Sequence, residues 1–85
     1  MNKCIDNTAM KLNEFSVLMN RNFSVFVDYI DDFGKRVHVP VGYAGLYALV
    51  GEEWCHKFIL RAFNAGVDKC TFKLRRGIRI DFRSR

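Results

Sequence analysis

The chain has little that could cross-link, anchor or interrupt it. One proline, Pro40, and three cysteines, Cys4, Cys55 and Cys70, stand among 85 residues. An odd number of cysteines excludes a closed disulfide framework. No apolar run is long enough to span a bilayer, and the opening Met1-Asn2-Lys3-Cys4-Ile5-Asp6 holds none of secretion-signal length. The expectation is a reduced, cytoplasmic protein with no membrane partner.

Catalytic vocabulary is equally sparse. There is no glycine-rich phosphate loop, no Gly-x-Ser-x-Gly and no paired-carboxylate motif. The metal-capable residues are Cys4, His38, Cys55, His56 and Cys70, and none stands at Cys-x-x-Cys or His-x-x-x-His spacing. Cys55 and His56 are adjacent and so point to different sides of a helix. Cys55 and Cys70 fall on apolar faces and read as small core residues. Asp31-Asp32 sits where a turn is expected and reads as turn chemistry. These absences lead to the expectation of a non-enzymatic protein without metal or cofactor.

What remains is a globular composition, 49% hydrophobic and 27% charged, with eight Phe, three Tyr and one Trp. The length suits one domain, residues 1–85, and a chain this short needs bulky aromatics to build a core. Net charge is +5, unevenly placed. Residues 1–68 carry seven Lys/Arg against eight Asp/Glu, whereas residues 69–85 carry seven Lys/Arg and a single acid, Asp81. An excess confined to one segment points to nucleic acid, an acidic protein surface or an anionic membrane.

That segment alternates. Cys70, Phe72, Leu74, Ile78, Ile80 and Phe82 fall on one face, with Thr71, Lys73, Arg79, Asp81 and Arg83 on the other, which predicts a β-hairpin over residues 69–83. Cross-strand partners must face the same side, so the turn length decides the register. A loop Arg75-Arg76-Gly77 pairs Leu74 with Ile78, Lys73 with Arg79, Phe72 with Ile80 and Thr71 with Asp81, and puts glycine where a left-handed backbone is needed. Lys73 opposite Arg79 is a like-charge pair, relieved either by an anionic partner or by Asp81 on the diagonal. Ser84-Arg85 reads as a frayed end.

The same parity argument gives a first hairpin, Phe23–Ile30 and Arg36–Val41, with loop Asp32-Phe33-Gly34. It pairs Tyr29 with Val37, Asp28 with His38 and Val27 with Val39. His38 opposite Asp28 is a candidate ion pair or pH-responsive contact. Pro40 cannot donate to a ladder, so the second strand is expected at an edge or to end there. The first strand is apolar on both sides, so a helix is expected over each face, the N-terminal one over Phe26 and Ile30.

That N-terminal helix is expected from about Ala9 to Asn20, capped by Asn7 or Thr8. Gly42 to Gly66 reads as helix broken near Gly51, with Glu52 and Glu53 in the first turn of its second part. There Trp54, Cys55, Phe58, Ile59, Ala62 and Phe63 form the inner stripe and His56, Lys57, Arg61 and Asn64 the outer one. The fold class is therefore α+β, one small domain of order α-β-β-α-β-β, with a mostly antiparallel four-stranded sheet built from two hairpins. The intervening helix would allow the second and third strands to run parallel.

The candidate site is Lys69, Lys73, Arg75, Arg76, Arg79, Arg83 and Arg85, extended by Lys35 and Arg36 if the hairpins lie side by side. Guanidinium groups on rigid strands suit phosphate. The leading expectation is a module that grips a nucleic-acid backbone. With Phe33 the single candidate for an exposed stacking ring, duplex backbone fits better than base stacking. The alternative is a phage or mobile-element inhibitor of a host complex, resembling inhibitors of CRISPR defence in size and charge, whose basic face meets an acidic protein. A homodimer through a strand edge is compatible with either. The plainest reading is a solvated face that protects a sheet edge from aggregation.

Overall fold

Phe15 and Met19 lie one helical turn apart, and Phe23 begins a stretch of β-branched and aromatic residues four positions later. A helix and a strand joined without a loop can put all three on one surface. In the computed structural model, which describes residues 12–85, they do so. Helix α1 spans Leu12–Asn22 and passes directly into strand β1, Phe23–Ile30. The Asn22 side-chain amide donates back to the Leu18 carbonyl at 2.8 Å, one turn earlier. The expected cap at Asn7 or Thr8, and Cys4, lie outside the described residues.

The remaining elements are β2 (Arg36–Pro40), α2 (Tyr43–Val50), α3 (Glu52–Ala65), β3 (Lys69–Lys73), a 3-10 turn (Arg75–Gly77) and β4 (Arg79–Ser84). The break between α2 and α3 falls at Gly51, and Glu52 and Glu53 occupy the first turn of α3. Among the described residues there are thus three helices and four strands, an α+β fold. No helix among them is long and apolar enough to cross a membrane.

Both hairpin registers match the parity argument. Tyr29 pairs with Val37 and Asp28 with His38, while Thr71 pairs with Asp81 and Lys73 with Arg79. Gly34 at φ 77° and Gly77 at φ 76° supply the left-handed residue that each turn requires. Asp31 closes the first turn, its Oδ1 accepting from the amides of Phe33 (2.9 Å) and Lys35 (2.8 Å). The strand order is β2-β1-β4-β3. The hairpins join antiparallel through β1 and β4, Phe23 opposite Ser84 and Asp28 opposite Arg79. Strands β2 and β3 lie at opposite edges and run in opposite directions, so the helices between them do not form a parallel crossover.

One face of the sheet is sealed. Val25, Val27, Ile80 and Phe82 meet Phe15 and Met19 of α1, Leu46 of α2, and Cys55, Phe58, Ile59 and Ala62 of α3 in a single core. Among the described residues the expected second cover over Phe26 and Ile30 is not found: all three of their helices pack on this one side, and Ile30 is exposed. Two further assignments change for the same reason. His56 is buried because α1 and α2 both reach it. Its ring stacks on Phe15 at 3.8 Å, and its Nε2 lies 2.6 Å from the Tyr43 hydroxyl. Trp54, expected inside, is 46% exposed, since no element among the described residues covers the start of α3 on that side. Ser84-Arg85 is not frayed. Ser84 belongs to β4, and the Arg85 amide donates to the Asn22 carbonyl at 3.0 Å.

Candidate anion-binding face

With the helices on one side, the opposite side of the sheet is an open platform, and the registers say what stands on it. One cross-strand row carries Lys69, Arg83 and Ser24. The next carries Thr71, Asp81, Phe26 and Pro40, and a third carries Lys73, Arg79, Asp28 and His38. Arg36, opposite Ile30, completes the face. Five cations against Asp28 and Asp81 leave three positive charges in excess.

The arginines do not simply project into solvent. Arg36 grips Asp28 through both arms of its fork, Nε to Oδ1 at 3.0 Å and Nη2 to Oδ2 at 2.7 Å. Arg79 Nη2 donates to the same Oδ2 at 2.7 Å. Arg83 Nη2 stands 3.7 Å from Asp81 Oδ2, with its guanidinium over the Phe26 ring at 5.2 Å. Asp81 also accepts from Thr71 Oγ1 at 2.6 Å. An outward row of unengaged guanidinium groups is therefore corrected to a row held down by carboxylates. The relief of the Lys73–Arg79 pair comes from Asp28 on the neighbouring strand, not from Asp81.

These acids are buried, Asp28 only 3% exposed. A lone carboxylate there would be strongly destabilised, whereas two guanidinium partners make its charged form favourable. The Arg36 hydrogen bond first, and then the Arg36 and Arg79 charges, hold its carboxyl down at about 2 against the opposing effect of burial. Each arginine keeps N–H groups that Asp28 does not use, because a guanidinium has five.

The other expected residues divide. Lys69, Lys73, Arg79, Arg83 and Arg36 are brought together on the platform. Lys35 and Arg75 stand in the turns of the two hairpins, at the end of the sheet where Asp28 faces Arg79. The Arg76 side chain lies outside the described part. Arg85 leaves the face, its Nε donating to the Phe23 carbonyl at 2.9 Å. His38 makes no ion pair with Asp28, whose acceptors are filled by arginine, and stacks instead on Phe26 at 4.8 Å. Phe33 is 94% exposed at its hairpin tip.

Asp28 is the organising residue that a search for basic side chains passes over. Its signal was a single charge inside the otherwise apolar or hydroxylic strand Phe23-Ser-Val-Phe-Val-Asp-Tyr-Ile30, where an acid needs cations from neighbouring strands. Elsewhere, burial pushes the Cys55 thiol up to about 11, which leaves it protonated and a poor nucleophile or ligand. Among the described residues no group of three or more His, Cys, Asp and Glu could hold a metal ion. Neither a protein-family model, nor a curated protein, nor a solved structure matches the chain. Functional argument therefore rests on the site itself.

Two of the buried titratable groups, His56 and Asp28, set a pH profile with two limbs. Burial lowers the His56 pKa below its ordinary 6.5, Glu52 opposing. The unfolded chain therefore takes up that proton before the folded one, and stability falls as pH drops below about 6.5. Asp28 is depressed from 3.8 to about 2, so its contribution is complete above about 3.8 and is lost as pH falls toward 2. Urea midpoints across pH should show both declines, with His56→Phe removing the upper one. An Asp28 carboxyl resonance titrating near 4 in the folded protein would contradict the geometry.

Proposed function

We propose that this chain is a small non-enzymatic binding module, working as a reduced cytoplasmic protein, whose open sheet face engages the phosphate backbone of a nucleic-acid duplex. The observation that carries the reading is the pair of cation rows fixed on rigid strands, with three charges uncompensated. Four residues of extended strand separate Lys69/Arg83 from Lys73/Arg79, about 13 Å at the rise of a β-strand. That is close to the width of a duplex major groove, about 12 Å, so the rows can reach phosphates of both strands. The buried carboxylates count against this reading, since Asp28 already engages Arg36 and Arg79 and Asp81 lies 3.7 Å from Arg83, and it rests on the three charges left in excess. Among the described residues the Phe26 and His38 rings on the face stack on each other, and Arg83 lies over Phe26, which disfavours base stacking.

An acidic protein surface, as a phage or mobile-element inhibitor would meet, is the second reading. It is favoured by the mixed signs on the face, Asp28 and Asp81 set among five cations, which a patterned partner could match and a uniform polyanion could not.

Titration with duplex DNA across a salt series tests the first reading. Three phosphate contacts predict a slope of log K against log salt of about −2.7, hence about a forty-fold loss of affinity from 50 to 200 mM salt. Single-stranded DNA should bind no more tightly than duplex. Absence of duplex binding at 50 mM salt would overturn the reading.

A further inference from the structure

The sheet has a second feature, on its other side and at its β3 edge. Among the described residues no strand lies beyond β3. The Leu74 amide donates to the Ile78 carbonyl at 2.7 Å and the Ser84 amide to the Asp68 carbonyl at 2.8 Å. Bonded and non-bonded pairs alternate along an antiparallel ladder, so Thr71 and Lys73, lying between, turn their own N–H and C=O groups away from β4 to the open side.

Against this edge runs a groove of about 700 Å³, lined by Leu49, Val50, Trp54, Phe58, Phe72 and Ile78 among others. Phe72 and Phe58 stack at 4.4 Å, and Trp54 continues the row at 5.7 Å from Phe58. The polar lining is Thr71 and three cations, Arg61, Lys73 and Arg75, with no acid among the lining residues. On α3, Glu53 is paired with Lys57 at 3.0 Å.

We propose that the β3 edge and this groove receive an extended, acidic segment of a partner protein, added to the sheet as a further strand. Main-chain bonds to Thr71 and Lys73 would supply affinity. Every second side chain of the segment would lie over Trp54 and Phe58, and the acidic ones between them would stand on the open side beside Lys69 and Lys73. A second copy of this chain fits poorly. Antiparallel pairing of two β3 strands about Thr71 sets Lys69 against Lys73, a like-charge contact on both sides of the centre. Residues 1–11 carry Lys3 and Lys11 against Asp6, also the wrong sign.

Trp54, the one tryptophan, reports the test. A synthetic peptide alternating Asp or Glu with Val or Phe is titrated into the full chain, with a Lys-for-acid version as control. The acidic peptide should shift Trp54 emission saturably and move the Thr71 and Lys73 amide resonances, and the basic one should do neither. Lys73→Pro removes an outward N–H that the native sheet does not use and leaves the Thr71–Asp81 hydrogen bond in place, and it should weaken binding about tenfold or more beyond Lys73→Ala. Lys69→Glu with Lys73→Glu, at exposed positions of the edge strand that the acidic side chains would face, should do likewise. A flat Trp54 response, equal binding of both peptides, or a dimer whose Thr71 and Lys73 amides are protected without peptide would each overturn the proposal. So would duplex DNA, and not the acidic peptide, perturbing Trp54.

Discussion

Phe82→Ala should reduce the stability of the domain by about 3–5 kcal/mol, the usual range for emptying a buried phenylalanine site. Phe82 is fully buried at the middle of the sheet, edge-on to Phe23 at 5.4 Å and to Phe72 at 5.6 Å. It ties β4 both to its own hairpin and to β1, so its loss weakens the one junction that unites the two hairpins. An 85-residue domain holds about 4–13 kcal/mol in total, so most of the margin is at stake. The thermal midpoint should drop by about 12 °C or more. Phe33→Ala, at an exposed loop tip, is the matched control and should stay within about 0.5 kcal/mol. Circular dichroism melts of the two variants decide the matter, and equal losses would mean that β4 is not the central strand. Because Arg79, Asp81 and Arg83 occupy the outward positions of the same strand, the alanine variant should also bind duplex more weakly at temperatures where it is still folded.

The residues differ in how openly they declare their place. Both hairpin registers were legible because period-two alternation and a glycine in the turn leave few alternatives for Thr71–Asp81 or Tyr29–Val37. The order of the strands was not, because Phe23 and Ser84 are neighbours only through the fold, and nothing local records that pairing. Phe26 and Ile30 misled for a physical reason. An apolar residue on a strand is read as needing a cover, yet Phe26 is covered by two side chains, His38 and Arg83, and Ile30 is left in solvent. His56 was misread because a helix face is judged against one neighbouring layer, and here α1 and α2 supply a second. Of the candidate site, the positions of the cations were visible and their pairing was not. Asp28 belongs to the first hairpin and Arg79 to the second, so their ion pair depends on the same unrecorded junction.

Removing three cations and removing one acid should have opposite effects, and the contrast separates the two readings of the open face. The triple variant Lys69→Ala, Lys73→Ala, Arg83→Ala deletes the whole charge excess while leaving Arg36 and Arg79 on Asp28. Its salt slope for duplex DNA should fall from about −2.7 toward zero, and its affinity at 50 mM salt by about a thousandfold. Asp81→Asn keeps an acceptor for the Thr71 hydroxyl, which lies 2.6 Å from Oδ1, but removes the charge. A fourth uncompensated cation should steepen the slope by about 0.9 and tighten duplex binding. A partner protein that reads the alternation of arginine and aspartate would respond the other way, since the same substitution deletes one element of the pattern it matches. Tighter binding of Asp81→Asn to duplex would therefore support a backbone grip. Duplex affinity that is unchanged or weakened would move the argument to a patterned acidic surface, where Arg79, Arg83 and the two buried carboxylates together form the recognised shape.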